Sequence, residues 1–157
     1  VYKSKKETYA GCTVSSEWLY FMSFRDWALT QPWRGLELDK DILIPGNKHY
    51  SESTCVFVPR KLNVFLADSA AIRGEFPIGV HWIKARSKFQ SYCNNPFSSK
   101  RDYLGLFDTP AEAHLAWANR KMQYALALAD SQEDSRVASS IISMYADILD
   151  RARQATA

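Results

Sequence analysis

The four residues Thr109, Pro110, Ala111 and Glu112 constrain the fold of this chain more than any other short stretch. A threonine side chain before a helix accepts a hydrogen bond from the third helical amide, and the carboxylate of a glutamate three residues later accepts one from the threonine amide. Proline fits the first helical position, where a missing N–H costs nothing. The stretch therefore predicts a helix that begins at Pro110, directly after a segment with strand character, Asp102 to Phe107.

Two more segments before this helix also alternate like strands, Gly79 to Ala85 and Lys88 to Cys93, and a turn-rich loop follows them at Asn94 to Ser99. Together these segments predict a three-stranded antiparallel meander packed on the capped helix. A last amphipathic helix is predicted from about Ser135 to Arg153, because its apolar residues repeat at helical spacing.

Positive charge is concentrated on the predicted meander. The chain has 20 Lys and Arg against 17 Asp and Glu, so the net charge of +3 says little about partners. Between Phe76 and Arg101 there is no acidic residue at all. A sheet packed on a helix leaves one face outward, because successive side chains of a strand point to opposite sides. Such a basic face fits the DNA major groove; the alternative is a solvated sheet face that is merely basic.

The first half predicts a smaller mixed unit. A strand at Gly11 to Val14 precedes an apolar helix over 16 to 30, which Ser15 or Ser16 can cap and whose aromatic residues are expected in a core. The segment Leu36 to Phe65 predicts a strand, a turn at Pro45-Gly46-Asn47, a second strand and a short helix. The fold class predicted for the whole chain is therefore α+β.

The cysteines and the hydropathy pattern exclude several classes of protein. Cys12, Cys55 and Cys93 are odd in number and widely spaced, which favours reduced, buried thiols over a disulfide scaffold or a zinc site. No apolar run approaches the length of about eighteen residues that crosses a bilayer. We therefore expect an intracellular protein without a membrane partner.

Several short motifs follow one another along the second half of the chain. They are Gly79-Val80, Lys88-Phe89, Arg101-Asp102-Tyr103-Leu104-Gly105-Leu106-Phe107-Asp108-Thr109, Glu112-Ala113 and Ala116-Trp117. This order resembles the DNA-binding domain of the plant APETALA2 and ethylene-response type, over residues 77–129. The resemblance implies that double-stranded DNA is the partner and that strand side chains contact it.

The candidate DNA-binding residues follow from this resemblance and from the charge pattern. His81, Phe89 and Tyr103 stand where the family has an arginine and two tryptophans, so the family's base preference does not transfer. Phe89 and Tyr103 are equally well explained as core residues. Arg86 is the candidate for a contact to a base edge. The full set is His81, Lys84, Arg86, Lys88, Phe89, Arg101 and Tyr103.

The chain as a whole is similar to phage-encoded HNH-type proteins, many of them homing endonucleases, that join a divergent nuclease module to such a DNA-binding domain. The motifs that carry this similarity are Tyr9-x-Gly11-Cys12-x-Val14, Glu17-Trp18, Phe24-x-x-Trp27, Leu38-Asp39-Lys40-Asp41-Ile42, Gly46-Asn47-Lys48, Tyr50-Ser51, Thr54-Cys55, Val58-Pro59 and Asn63. The similarity implies an HNH-like ββα module over residues 1–68, and a host-cell cytoplasmic location if the protein is phage-encoded.

An HNH nuclease needs a divalent metal, expected to be Mg²⁺, and a base for the attacking water. The resemblance matches Asp39 and Asn63 to the metal ligands and places Lys40 at the position of the general-base histidine. A lysine with a pKa near 10.4 is a poor base at neutral pH unless burial depresses that pKa. His49 is the alternative base, although a lone histidine beside a turn is more often structural, and Asp39, Lys40 and Asp41 also fit a solvated charge cluster.

Two functions therefore remain open for a chain with domains at 1–68 and 77–129 and a C-terminal helix at 130–157. The first is a divergent metal-dependent DNA endonuclease. The second is a catalytically inactive DNA-binding regulator, or an antagonist that occupies another factor's site. The missing histidine favours the second, whereas the retained Asp39 and Asn63 favour the first.

Overall fold

The computed structural model describes residues 9–67, 74–98 and 100–157. The chain divides into two compact units, Val1–Leu66 and Ala67–Ala157. The described residues have the predicted α+β class and form four α-helices and three small sheets. Among the described residues, no helix combines the length and the apolar character needed to cross a membrane.

The first unit contains two short sheets and two helices. Strand β1 (Thr13–Val14) pairs in parallel with β3 (His49–Tyr50), and β2 (Glu37–Asp39) pairs antiparallel with β4 (Val56–Val58). Helix α2 (Arg60–Leu66) follows β4 and lies against β2. The order of β2, β4 and α2 is thus strand, strand and helix, as the sequence predicts, while assignment of this unit to the HNH type stays a prediction.

The predicted helix over 16 to 30 is two elements. Glu17–Leu19 form a 3₁₀ turn, Ser16 makes no side-chain cap, and extended Tyr20 (φ −91°, ψ 114°) interrupts the helical phase. Helix α1 therefore begins at Phe21 and ends at Leu29, and it buries only Trp27. The prediction that its aromatic residues belong to a core is wrong for Tyr20 and Phe21, because the later start turns these and several other apolar side chains outward. The exposed ones are Leu19, Tyr20, Phe21, Met22 and Leu29.

An aromatic cluster forms the packed side of this segment. The Trp27 ring centroid lies 4.5 Å from that of Trp18 and 5.6 Å from that of Phe57 on β4. Phe24 meets Trp18 edge to face at 5.1 Å. Such ring pairs add to the free energy gained by removing apolar area from water. The cluster therefore attaches α1 to the sheet of β2 and β4.

The second unit contains the predicted meander and two long helices. Strands β5 (Val80–Ile83), β6 (Lys88–Asn94) and β7 (Arg101–Phe107) pair antiparallel in the order β5-β6-β7. Helix α3 (Pro110–Asp130) follows, and Thr109 and Glu112 form the predicted capping box. Helix α4 (Ser135–Gln154) packs along α3 within the same unit.

The core of the second unit lies between the sheet and α3. On β6, Ser91 and Cys93 are completely buried, and Val80 pairs with Ser91 from β5. Small side chains of α3, Ala113 and Ala118, let the helix approach the strands closely. All three cysteines are free and buried, as predicted. Helix α4 covers the far side of α3 with Val137, Ile141, Tyr145 and Leu149.

Gly79 sets how closely β5 and α3 approach. Its φ of +84° lies in the left-handed region, and a Cβ added there would overlap the ring of Trp117 on α3. The Gly79 carbonyl accepts a hydrogen bond from the Tyr92 amide at 2.9 Å, so the residue is also tied to β6. The tryptophan ring therefore occupies the space that a side chain at position 79 would take.

We expect Gly79→Ala to destabilise the second unit for two reasons. Overpacking costs about 1–3 kcal/mol, and the left-handed backbone adds roughly 1–2 kcal/mol for a residue with a Cβ. Gly46→Ala is the matched control, since Gly46 has φ +76° but no atom within 4 Å of an added Cβ. Amide hydrogen exchange read by mass spectrometry should show faster exchange in β5 to β7 for Gly79→Ala alone. Equal effects of the two substitutions, each in its own unit, would contradict the packing role of Trp117.

Lys121 on α3 is a partly buried cation. Its ammonium lies 5.8 Å from the Trp117 ring centroid and 5.5 Å from that of Tyr145 on α4. Burial lowers the pKa of Lys121 from 10.5 to about 8. Burial also raises the pKa of the neighbouring Cys93 thiol from 9.0 to about 11. The surroundings of both side chains, between the helices and the sheet, therefore disfavour charge, although Lys121 stays protonated at pH 7.

Stability should consequently rise with pH just above 8. Below pH 8 both the folded and the unfolded chain hold the Lys121 proton, and the folded state bears the full cost of the buried charge. Above pH 8 the folded state releases the Lys121 proton while the unfolded chain keeps it, so stability increases with pH. From about pH 9 the unfolded chain loses the Cys93 proton while the folded state keeps it, which opposes this increase. Lys121→Met should raise the melting temperature at pH 7, by roughly 4–8 °C per kcal/mol gained. Melting curves from pH 7 to 10 should show the difference between the wild type and Lys121→Met shrinking from pH 8 upward; a constant difference would be inconsistent with a buried, charged Lys121.

Candidate nucleic-acid interface

The sheet of the second unit has a face turned away from α3, which we call the outer face. Because Ser91 and Cys93 point toward α3, their neighbours on β6 point to the other side. The strand register extends this face to β5 and β7, since His81 pairs with Gln90, and Leu106 and Tyr103 pair with Gln90 and Tyr92. The outer face consists of His81, Ile83, Lys88, Gln90, Tyr92, Asn94, Arg101, Tyr103 and Leu106.

A β-bulge brings Tyr103 to the outer face. Ser91 pairs with Gly105 and Tyr92 pairs with Tyr103, so Leu104 is the extra residue on β7. Gly105 has φ +129°, a conformation that suits glycine at such an irregularity. Without the bulge, simple alternation from Leu106 would turn Tyr103 inward. Tyr103 is instead 54% exposed.

Arg101 is the centre of an aromatic and basic cluster on the outer face. Its guanidinium carbon lies 5.1 Å from the Tyr92 ring centroid, and its Nη2 lies 3.5 Å from Nε2 of His81. The ring centroids of Tyr92 and Tyr103 are 5.5 Å apart, and those of His81 and Tyr92 are 6.4 Å apart. Aromatic support of a guanidinium leaves its planar N–H groups available for an anionic or acceptor-rich ligand.

Asp102 ties this cluster to α3. Its carboxylate accepts hydrogen bonds from Arg120 Nη1 at 3.1 Å and from the Tyr124 hydroxyl, both on α3. The Tyr124 hydrogen bond above all, assisted by Asn95 and the charge of Arg120, lowers the pKa of Asp102 against the opposing effect of burial. The carboxylate therefore points inward and is paired, while Arg101 beside it points outward.

Cations surround the cluster. Lys84 and Arg86 lie on a 3₁₀ turn (Lys84–Arg86) between β5 and β6, and Lys100 lies just before β7; all three are exposed. Within residues 9–67, 74–98 and 100–157, none of these three forms an ion pair. Lys88 differs, because its ammonium is paired with Asp108 at the end of β7. The charges of Lys84, Arg86 and Lys100 are thus more available to a ligand than that of Lys88.

Phe89 belongs to the opposite face. Its ring lies 4.7 Å from that of Trp82 and 5.2 Å from that of Phe76, on the side of the sheet that carries Ser91 and Cys93. The sequence leaves open whether Phe89 and Tyr103 are core residues or DNA contacts. In the structure Phe89 faces inward and Tyr103 faces outward. We leave Phe89 out of the interface.

Because it looked for cations and family motifs, sequence reasoning missed five members of the outer face: Ile83 and Leu106, and the three β6 residues Gln90, Tyr92 and Asn94. The signal that identifies the β6 residues is the two-residue repeat of side-chain direction along a strand. Once the small residues Ser91 and Cys93 are assigned to the helix side, residues 90, 92 and 94 must face outward.

The candidate catalytic residues of the first unit are engaged in hydrogen bonds and ion pairs within that unit. Asp39 Oδ1 accepts the amides of Asp41 at 2.9 Å and Ile42 at 2.7 Å, which closes a turn after β2. Burial raises the pKa of Asp39, opposed by these two hydrogen bonds. Asn63 donates to Glu37 Oε2 at 2.9 Å, and His49 Nδ1 lies 2.8 Å from the Thr13 hydroxyl.

Lys40 does not have the depressed pKa that a general base requires. Burial alone would lower the pKa of Lys40, but the hydrogen bond and the charge of Asp41 outweigh it, and the pKa is raised. The Lys40 ammonium lies 2.9 Å from Asp41 Oδ2 and 5.8 Å from the Tyr50 ring centroid. Lys40 is therefore a protonated, partly buried member of an ion pair.

A divalent ion would need several oxygen or nitrogen ligands in one place. Across the described parts of the chain, no group of three His, Cys, Asp or Glu side chains is arranged to hold a metal. Of the two ligands that the HNH resemblance implies, Asp39 accepts backbone amides at Oδ1 and Asn63 donates from Nδ2 to Glu37, and among the described residues no hydrogen bond joins the two side chains. The donor set does not fit a metal centre, and we derive no catalytic step from it.

Comparison with known proteins gives one informative similarity. The chain is 36% identical over 75 residues to an ethylene-responsive transcription factor of Arabidopsis thaliana, a match that covers 48% of this chain. The same match covers 25% of the plant protein, so this chain spans only about a quarter of that relative. No protein-family model and no solved structure matches the chain. This similarity agrees with the resemblance of residues 77–129 to the plant DNA-binding domain. It gives no support to the HNH resemblance.

Proposed function

We propose that this protein binds duplex DNA through the outer face of the β5–β7 sheet. The observation that carries the proposal is the cluster of Arg101, His81, Tyr92 and Tyr103 on one sheet face, supported from behind by α3. Strands of a small sheet can enter the major groove, where a guanidinium can meet guanine or phosphate and tyrosines can contact sugar and phosphate.

The charge of this face favours a polyanion. No acidic side chain is among the outer-face residues, and the nearest acid in sequence to Arg101, Asp102, is turned to α3. Lys84, Arg86 and Lys100, which form no ion pair with any residue that the structure describes, add positive charge at the two ends of the sheet. Binding to DNA would release counterions from the phosphates, which makes the affinity favourable and dependent on salt.

The partial similarity to a transcription factor supports the same class of partner. The endonuclease hypothesis rests on sequence resemblance alone, and the contacts of Asp39, Lys40, His49 and Asn63 do not favour it. The alternative of a regulator or antagonist that binds DNA without cleaving it is likewise a hypothesis. DNA binding is common to both, and it is the part of the function that we propose.

A salt titration of fluorescence anisotropy on a mixed-sequence duplex tests this proposal. The logarithm of the affinity should fall linearly with the logarithm of salt concentration, by about 0.9 for each phosphate neutralised. Arg101→Ala should therefore flatten the slope by about one unit. Lys88→Ala should have a smaller effect, because Asp108 already neutralises that lysine.

Arg151→Ala on α4 is the matched control, since it also removes one positive charge but lies away from the sheet. Its slope should equal that of the wild type. Absence of binding by the wild type at low salt would refute DNA binding by this chain. An unchanged slope for Arg101→Ala, with binding intact, would move the interface away from the outer face.

A further inference from the structure

We propose that Gln90 and Leu106 together read an A·T base pair in the major groove. This inference rests on the proposed function and adds a sequence preference to it. The juxtaposition that carries it is the direct cross-strand pairing of Gln90 on β6 with Leu106 on β7, both on the outer face.

Gln90 occupies the middle of the outer face. It lies on the central strand, with His81 opposite it on β5 and Leu106 opposite it on β7. Among the described residues its side-chain amide makes no hydrogen bond, so its N–H and its carbonyl oxygen are both available. Gln90 and Leu106 are half-buried rather than fully exposed, which limits their motion on the sheet surface.

The chemistry of the pair matches one base pair and opposes the other. Adenine presents N7, which accepts, beside N6–H, which donates, and a glutamine amide satisfies both at once. Thymine presents a methyl group on the same groove edge, and an aliphatic side chain packs against it. Directly opposed strand residues have Cβ atoms about 4.5–5.5 Å apart, a spacing that lets one side chain meet the adenine and the other its paired thymine.

A G·C pair would fit this position poorly. Guanine offers two acceptors, N7 and O6, so the glutamine carbonyl would face an acceptor and lose its partner. Leu106 would meet the cytosine edge, which lacks a methyl and carries an N–H donor. Arg101, the residue suited to guanine, lies toward the other end of β7, opposite Asn94. The face therefore combines an A·T-reading centre with a guanidinium at one side.

Selection from a random duplex pool with the whole chain tests the inference. The wild type should enrich a site with an invariant A·T pair, and replacing that pair by G·C should weaken binding roughly 5- to 150-fold. Gln90→Ala and Leu106→Ala should lose this preference while still binding DNA. Lys84→Ala is the control, since loss of a phosphate contact weakens all sequences alike and leaves base preference intact.

Atom-level changes in the selected duplex then assign the two roles. Deoxyuridine in place of the thymidine removes the methyl and should weaken the wild type but leave Leu106→Ala unaffected. Adenine lacking N7 should weaken the wild type but leave Gln90→Ala unaffected. Circular dichroism of each variant establishes that the fold is intact.

The outcomes separate this inference from the function on which it rests. Two outcomes would overturn the reading by Gln90 and Leu106 and leave DNA binding in place. One is salt-dependent binding of the wild type without an A·T preference. The other is an A·T preference that Gln90→Ala and Leu106→Ala both retain. Failure of the wild type to bind any duplex at low salt would overturn both.

Discussion

The packing of the β5–β7 sheet on α3 is the constraint on which the candidate interface depends. Gly79 has no side chain, Trp117 fills the space beside it, and the strands approach the helix closely enough to bury Ser91 and Cys93 completely. Successive side chains of a strand point to opposite sides, so the neighbours of these two residues on β6 must face outward. The position of Tyr92 is therefore a consequence of packing on the opposite side of the sheet, and not of any interaction on the outer face itself.

Charge follows the same division into two faces. The acid next to Arg101, Asp102, is drawn inward by Arg120 and Tyr124, so a negative charge is removed from the surface and a positive one remains. The bulge at Leu104 also changes the composition of the outer face, because it turns Tyr103 outward. Core packing, a half-buried hydrogen-bonded carboxylate and a backbone irregularity together build a surface that can bind a polyanion.

Much of the second unit could be predicted from the sequence, because its signals are local. The capping box marks the start of α3, and alternation marks the strands to within a few residues. The orientation of Phe89 and Tyr103 could not be predicted, since it depends on strand register and on a bulge that joins residues far apart in the chain. In the first unit, the start of α1 was misplaced because Tyr20 interrupts a helical pattern that continues in the sequence. The contact of Asn63 with Glu37 likewise depends on tertiary structure, whereas Asp39 closes a local turn, and similarity of motifs determines neither contact.

The two faces of the sheet carry a matched pair of exposed aromatic residues, Tyr103 on the outer face and Trp82 on the face that packs against α3. Tyr103 is 54% exposed and Trp82 is 42% exposed, so both react readily with a small solvent probe. Hydroxyl-radical footprinting of the whole chain, with and without a saturating mixed-sequence duplex, compares them in one experiment. DNA bound to the outer face should protect Tyr103 and leave the oxidation of Trp82 unchanged. Protection of Trp82 with Tyr103 still reactive would place the DNA elsewhere and contradict this account.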